Sequence, residues 1–272
     1  MSRALEVLRW SLRQNRGIRA SLVFMVLMLV VSLAALPFDR RQILGLNPWI
    51  KPVKFELSML VFLVTVAVLL WGLGPEVGAG GRWAQSRMWM DWGFGISMAM
   101  EIVVIALQAA RGVRSHMNFD TPLDTGLFAT MGVFILLNTL MGAWLLVLWC
   151  RTQAGLDAAV FWGIRLGLFA LLAGSIEGVR MVSNGGHTVG AADGLQGLAF
   201  VNWSTRFGDL RVAHFFALHA LQIFPLVGLA LASTKWRTGV QVSGVFGFAV
   251  VYFAGLWWMF AQAMRGIPLV RL

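Results

Sequence analysis

The chain has one cysteine, Cys150, one tyrosine and only 12% charged residues in a length of 272. A single thiol excludes an intramolecular disulfide, a cysteine-rich zinc or iron–sulfur centre and a C-x-x-C redox pair. So little charge, beside 58% hydrophobic residues and a mean hydropathy of +0.75, leaves too few polar groups to cover a soluble domain. Several catalytic signatures are missing as well. There is no glycine-rich phosphate loop after a strand, no H-E-x-x-H pair and no G-x-S-x-G elbow. No aspartate-rich pair of the kind that handles prenyl diphosphates is found. The last apolar run lacks a lysine, which excludes a retinal Schiff base.

What is present is apolar length. A membrane-crossing helix needs about 20 mostly apolar residues, and seven stretches qualify: about 20–37, 52–74, 88–110, 126–150, 157–179, 210–232 and 240–263. The expected fold is therefore all-α, a polytopic transmembrane bundle of seven helices forming one domain over 1–272, with a long loop at 180–209. Thirteen tryptophans fit a protein with many membrane–water boundaries. The net charge of +10 comes largely from arginines flanking the spans, so a lipid bilayer and not nucleic acid is the expected partner. Lysines and arginines divide evenly between the two sides. The cluster Arg3, Arg9, Arg13, Arg16 and Arg19 puts the N-terminus in the cytoplasm and the C-terminus outside. The expected location is a bacterial inner membrane.

The order of the spans places all four histidines on the outer side: His116 after the third span, His187 in the long loop, His214 and His219 early in the sixth. Other polar residues join them. Lys51 and Lys54 share a face of the second span with Ser58, while Glu56 points to a neighbouring helix. Ser97, Glu101 and Gln108 form one stripe of the third span, and Glu177 and Arg180 lie at the outer end of the fifth. An ionisable residue in hydrocarbon costs about 2.5–3.5 kcal/mol on insertion scales and is functional by default. The expected site is a polar cavity lined by Lys54, Glu101, Gln108, Glu177, His214, His219 and Gln222, with Lys54, Glu101 and Glu177 moving protons or meeting substrate.

His214 and His219 are five apart, which turns them about 140° from each other on a helix. That spacing does not place both on one metal. A haem takes its axial ligands from opposite faces. The leading expectation is thus an oxidoreductase or electron-transfer protein binding haem b through His214 or His219 with His116 or His187. Arg114, Arg180 and Arg211 would face the propionates, Gln222 would lie nearby, and a quinone would make contact at the site. The first alternative is zinc or another transition metal on His116, His214 and His219, serving a hydrolase or oxygenase that acts on a lipid. The second is a transporter or sensor with a buried proton pathway.

The stretches "NPWIKPVKFELS", "RGVRSHMNF", "GGHTVG" and "NWSTRFGDLRVAHFFALHALQ" resemble those of a bacterial family of multi-pass membrane proteins to which no activity is attached. The resemblance implies the seven-helix membrane fold and no mechanism. Seven-helix zinc amidohydrolases are similar in helix number but carry H-x-x-x-H on one helix, where this chain has H-x-x-x-x-H. Membrane b-type cytochromes are similar in placing histidines on separate helices.

Overall fold

The computed structural model describes residues 3–74, 80–152 and 155–272. Among these lie eight helices: α1 (Arg3–Gln14), α2 (Arg16–Ala35), α3 (Ile50–Gly72), α4 (Ala84–Arg111), α5 (Pro122–Arg151), α6 (Ala158–Asn184), α7 (Leu210–Ala232) and α8 (Thr238–Met264). Two short strands, β1 (Thr188–Val189) and β2 (Gly208–Asp209), pair antiparallel. Helices α2 to α8 are the seven that are long and apolar enough to cross a membrane. The protein is an all-α, multi-pass membrane protein. Its outward surface agrees: Val250 and Val251 of α8 are 70% and 71% exposed, an arrangement that lipid favours and water does not.

Two details differ from the sequence reading. Arg3, Arg9 and Arg13 lie on a separate helix, α1, which packs against α3, while Arg16 and Arg19 open the first span itself. Helix α6 runs on to Asn184, so the long loop starts at 185 and not at 180. Gly185 ends the helix with a φ of 69°, a left-handed cap that glycine adopts without strain.

The chain divides into two compact units, up to Met141 and from Gly142 onward. In the first, α2 packs on α3 and α4. The carboxylate of Asp91, on α4, accepts hydrogen bonds from the backbone N–H groups of Gly17 and Ile18, both at 2.9 Å. It thereby caps the N-terminus of α2, whose first N–H groups have no partner within the helix. The cap needs close approach. A methyl group on Gly17 would stand 2.8 Å from the Cα of Trp92, and one on Gly95 would stand 2.6 Å from the Ser21 hydroxyl. Asn15, fully buried at the break between α1 and α2, donates to the Ala67 carbonyl of α3 at 3.1 Å and accepts from Arg87 of α4 at 3.3 Å.

The second unit is organised by α6 and α7, which run antiparallel with a glycine seam between them. A methyl group on Gly163 would meet the Phe224 carbonyl oxygen at 2.5 Å, and one on Gly167 the Ala220 oxygen at 2.9 Å. From the other side, a methyl group on Gly228 would meet the Ala159 oxygen at 2.6 Å. Small residues at such spacing let backbones touch, which is how helices adhere in lipid. Pro225 lies inside α7, and its Cα faces Gly163 across the seam. Helix α8 packs on both partners, and its Tyr252 hydroxyl donates to the Phe216 carbonyl of α7 at 2.7 Å.

Gly167→Val is expected to lower the unfolding free energy in detergent by about 1–3 kcal/mol through overpacking. Gly247→Ala in α8, where nothing lies within 4 Å, should raise it by about 0.5–1 kcal/mol. Equal effects of the two in a thermal-unfolding assay would remove the seam as the organising contact. Asp91→Ala should cost about 1–2 kcal/mol in the same assay through loss of the cap on α2.

Candidate functional site

Gly112 ends α4 in the left-handed region, φ 76°, and the Val113 N–H returns to the Gln108 carbonyl at 3.0 Å. This cap turns residues 113–121 back toward the helix. Ser115, Met117 and Asn118 are buried as a result, and the His116 ring is delivered between α3, α4 and α5. His116 Nε2 lies 3.3 Å from Oε1 of Glu101, whose side chain is 3% exposed. His116 Nδ1 lies 3.1 Å from Lys51 Nζ and 3.1 Å from the Ser115 hydroxyl. The ammonium has only protons to give, so Nδ1 accepts and Nε2–H donates to the carboxylate. Phe55 and Phe128 flank the ring at centroid distances of 5.8 and 6.2 Å. A Lys–His–Glu chain thus runs from the start of α3 into the first unit. Glu101 is ten residues before the end of α4, about 15 Å along its axis. Its second oxygen, Oε2, is buried and has no hydrogen-bond partner among the described residues.

A second cluster sits at the same end of this unit. Asp124, its side chain 3% exposed, accepts from Gln108 at 2.8 Å, from Arg111 at 2.5 Å and from the Thr121 hydroxyl at 2.6 Å. Arg111 also bonds Gln108. Gln108 therefore belongs to a closed structural network that fixes the start of α5 to the end of α4. Glu56, fully buried, bonds the Ser32 hydroxyl of α2 at 2.8 Å, the neighbouring helix expected for it. Lys54 is half-buried on α3, and Arg114 makes a loose exposed pair with Asp120 at 3.6 Å.

The second unit holds the other three histidines. His187 precedes β1, its Nδ1 2.6 Å from Asp193, while the His187 and Thr188 N–H groups donate to the same carboxylate. Burial alone would raise the Asp193 pKa, but these bonds and the imidazole hold it well below the usual carboxylate range. Leu210 N–H donates to the His187 carbonyl, so the loop is tied to the start of α7. Asp209 caps that helix as expected, accepting from the Arg211 N–H at 3.0 Å. The Arg211 side chain turns back to the same carboxylate and to the Asn202 carbonyl. One turn on, His214 Nδ1 lies 2.8 Å from the Gly174 carbonyl of α6. His219 rests on Phe215 at 4.3 Å and hydrogen-bonds Gln222. Glu177 keeps a buried Oε2 with no partner among the described residues, and Arg180 bonds Ser183, not Glu177.

The residues expected to line one cavity are thus divided by unit. Lys54, Glu101 and Gln108 belong to the first, and Glu177, His214, His219 and Gln222 to the second. Among the described residues no three of His, Cys, Asp or Glu gather in a way that could hold a metal ion. The zinc-type trio His116, His214 and His219 gains no support. Sequence reasoning missed Lys51 as the partner of His116 and missed both Asp91 and Asp124. For Asp124 a signal existed: Thr121-Pro122-Leu123-Asp124 is a helix-start pattern in which the fourth residue answers the first.

Burial pushes the His116 pKa down, the Lys51 charge pushes it further, and Glu101 opposes both. The native ring resists a proton that the unfolded chain accepts near pH 6.5, so stability is retained above that pH and lost below it. Unfolding in detergent should therefore become easier as pH falls below about 6.5. His116→Gln should flatten this dependence; an unchanged slope in the variant would refute the assignment. Comparison with protein-family models, with curated proteins and with solved structures finds no match, so the functional reading rests on the site itself.

Proposed function

We propose that this chain is a membrane transporter or sensor that handles protons, with Glu101 taking up and releasing a proton through His116 and Lys51. The observation that supports this is the chain of contacts Lys51 Nζ–His116–Glu101, at 3.1 and 3.3 Å, ending on a buried carboxylate oxygen with no partner among the described residues. A neutral imidazole can accept a proton at one nitrogen and release one from the other, which suits it to a relay. Lys51, half-buried at the start of α3, stands where the path meets the loop side. Lys54 adds positive charge one turn on. A carboxylate placed this deep carries a desolvation penalty, and ionisable residues inside membrane spans are functional candidates by default. Glu177 is a second such carboxylate in the other unit. In this reading the N-terminus, with its arginine cluster, is cytoplasmic and the membrane is a bacterial inner membrane.

A second reading keeps haem b, bound in the second unit by His214 and His187, with His219 the alternative ligand. Both Nδ1 atoms are held by an oxygen, the Gly174 carbonyl and the Asp193 carboxylate. Ligating histidines are commonly oriented by such a bond from the second ring nitrogen. When bound, the group would supply one-electron chemistry, with a quinone as donor or acceptor and Arg180 beside the propionates. Arg211 is committed to Asp209 and Asn202 and fits that role less well.

Reconstituted in liposomes with an internal pH dye, the wild-type chain should dissipate an imposed proton gradient faster than empty vesicles. Glu101→Gln should slow this at least about ten-fold, a loss of roughly 1.4 kcal/mol or more, and Glu101→Asp should restore part of it. Equal rates for wild type and Glu101→Gln would end the proton reading. The haem reading predicts a Soret band that sharpens on dithionite reduction and is lost in His214→Ala; a flat spectrum from protein made with ample haem would eliminate it.

A further inference from the structure

The second unit contains a cavity of about 410 Å³ at the turn between α5 and α6. Arg151 and Arg165 line it, with Leu156 and Phe161 on its apolar side. Among the described residues no carboxylate lines it, and neither arginine forms an ion pair. Two cations around a cavity lined by no described carboxylate suit an anion from outside the chain.

Arg165 is fixed in advance. Its Nε donates to the Trp149 carbonyl at 3.0 Å and its Nη2 to the Cys150 carbonyl at 3.4 Å. These are carbonyls of the last turn of α5, which have no acceptor role within the helix. The guanidinium also lies over the Phe161 ring at 3.9 Å and near Trp162 at 4.9 Å. A guanidinium carries five N–H groups, so three are left for a ligand. Held flat by two rings and two carbonyls, it loses little freedom on binding. Arg151 is exposed and can close over the same ligand. The Thr152 hydroxyl is spent on the Leu148 carbonyl at 2.8 Å, so recognition falls to the two arginines.

We propose that this cavity binds the phosphate of an anionic membrane-lipid head group. A forked pair of N–H donors matches phosphate oxygens. The cavity lies at the ends of two membrane-crossing helices, where head groups are, and Leu156, 42% exposed, offers apolar surface to the glycerol end. Free phosphate has the same chemistry but gains nothing from Leu156 or from the membrane.

The test uses the full chain, delipidated in a neutral detergent, with native mass spectrometry and thermal-shift titration. The probes are phosphatidylglycerol, phosphatidylcholine and inorganic phosphate. Phosphatidylglycerol should bind at least about ten-fold more tightly than phosphatidylcholine, which offers the same phosphodiester but brings a choline ammonium that Arg151 and Arg165 repel. Arg151→Gln, which removes no side-chain hydrogen bond or ion pair among the described residues, should weaken it by about the same factor. Arg165→Lys keeps the charge but loses the fork, and should weaken it as well. Equal binding of the two lipids, or no change in either variant, would overturn the site. Inorganic phosphate that displaces the lipid at matched concentration would overturn the lipid as its occupant.

Discussion

Between two helices in hydrocarbon, hiding apolar surface gains nothing, because lipid tails are as apolar as leucine. The contact that organises the second unit is instead the approach of two backbones. Gly163, Gly167 and Gly174 on α6 and Gly228 on α7 leave no side chain to hold the helices apart. The first unit repeats the device between α2 and α4 with Gly17, Gly95 and Ser21. Both seams then decide which polar contacts are possible. His214 reaches the Gly174 carbonyl because α6 presents bare backbone there, and a methyl group on Gly178 would already stand 3.4 Å from the ring. Asp91 reaches the first turn of α2 for the same reason.

Polar groups inside the bundle fall into two kinds. Asp91, Asp124 and Asp209 have their oxygens occupied by helix N–H groups, arginines or hydroxyls, and serve as anchors. Glu56, Glu101 and Glu177 each keep one buried oxygen without a partner among the described residues. Burying such an atom is costly, and its retention beside a histidine relay separates Glu101 from the anchors. The aromatic walls of Phe55 and Phe128 limit water around His116, which strengthens its contacts with Lys51 and Glu101.

The spans were legible because crossing length and apolar composition are local properties. Residues 210–232 are helix to the residue, and Asp209 is the cap its position implied. Glu56 facing a neighbouring helix was legible from the face it occupies. The Lys51–His116 contact was not, since 65 residues separate the partners and it depends on the reversal at Gly112. Asp91 and Gly17, 74 apart, meet only through the packing of α2 on α4. The division of the chain into two units, with His116 in one and the rest in the other, is a tertiary fact that spacing along the chain does not carry.

The cap that Asp91 places on α2 also bears on how the chain is made. Synthesis runs from the N-terminus, so α2 emerges long before residue 91 exists. Until then the Gly17 and Ile18 N–H groups lack their partner, and Asn15 lacks both the Ala67 carbonyl and Arg87. Helix α2 cannot reach its final state on its own in the bilayer. The contacts that finish the start of α2 are therefore complete only when α3 and α4 stand beside it.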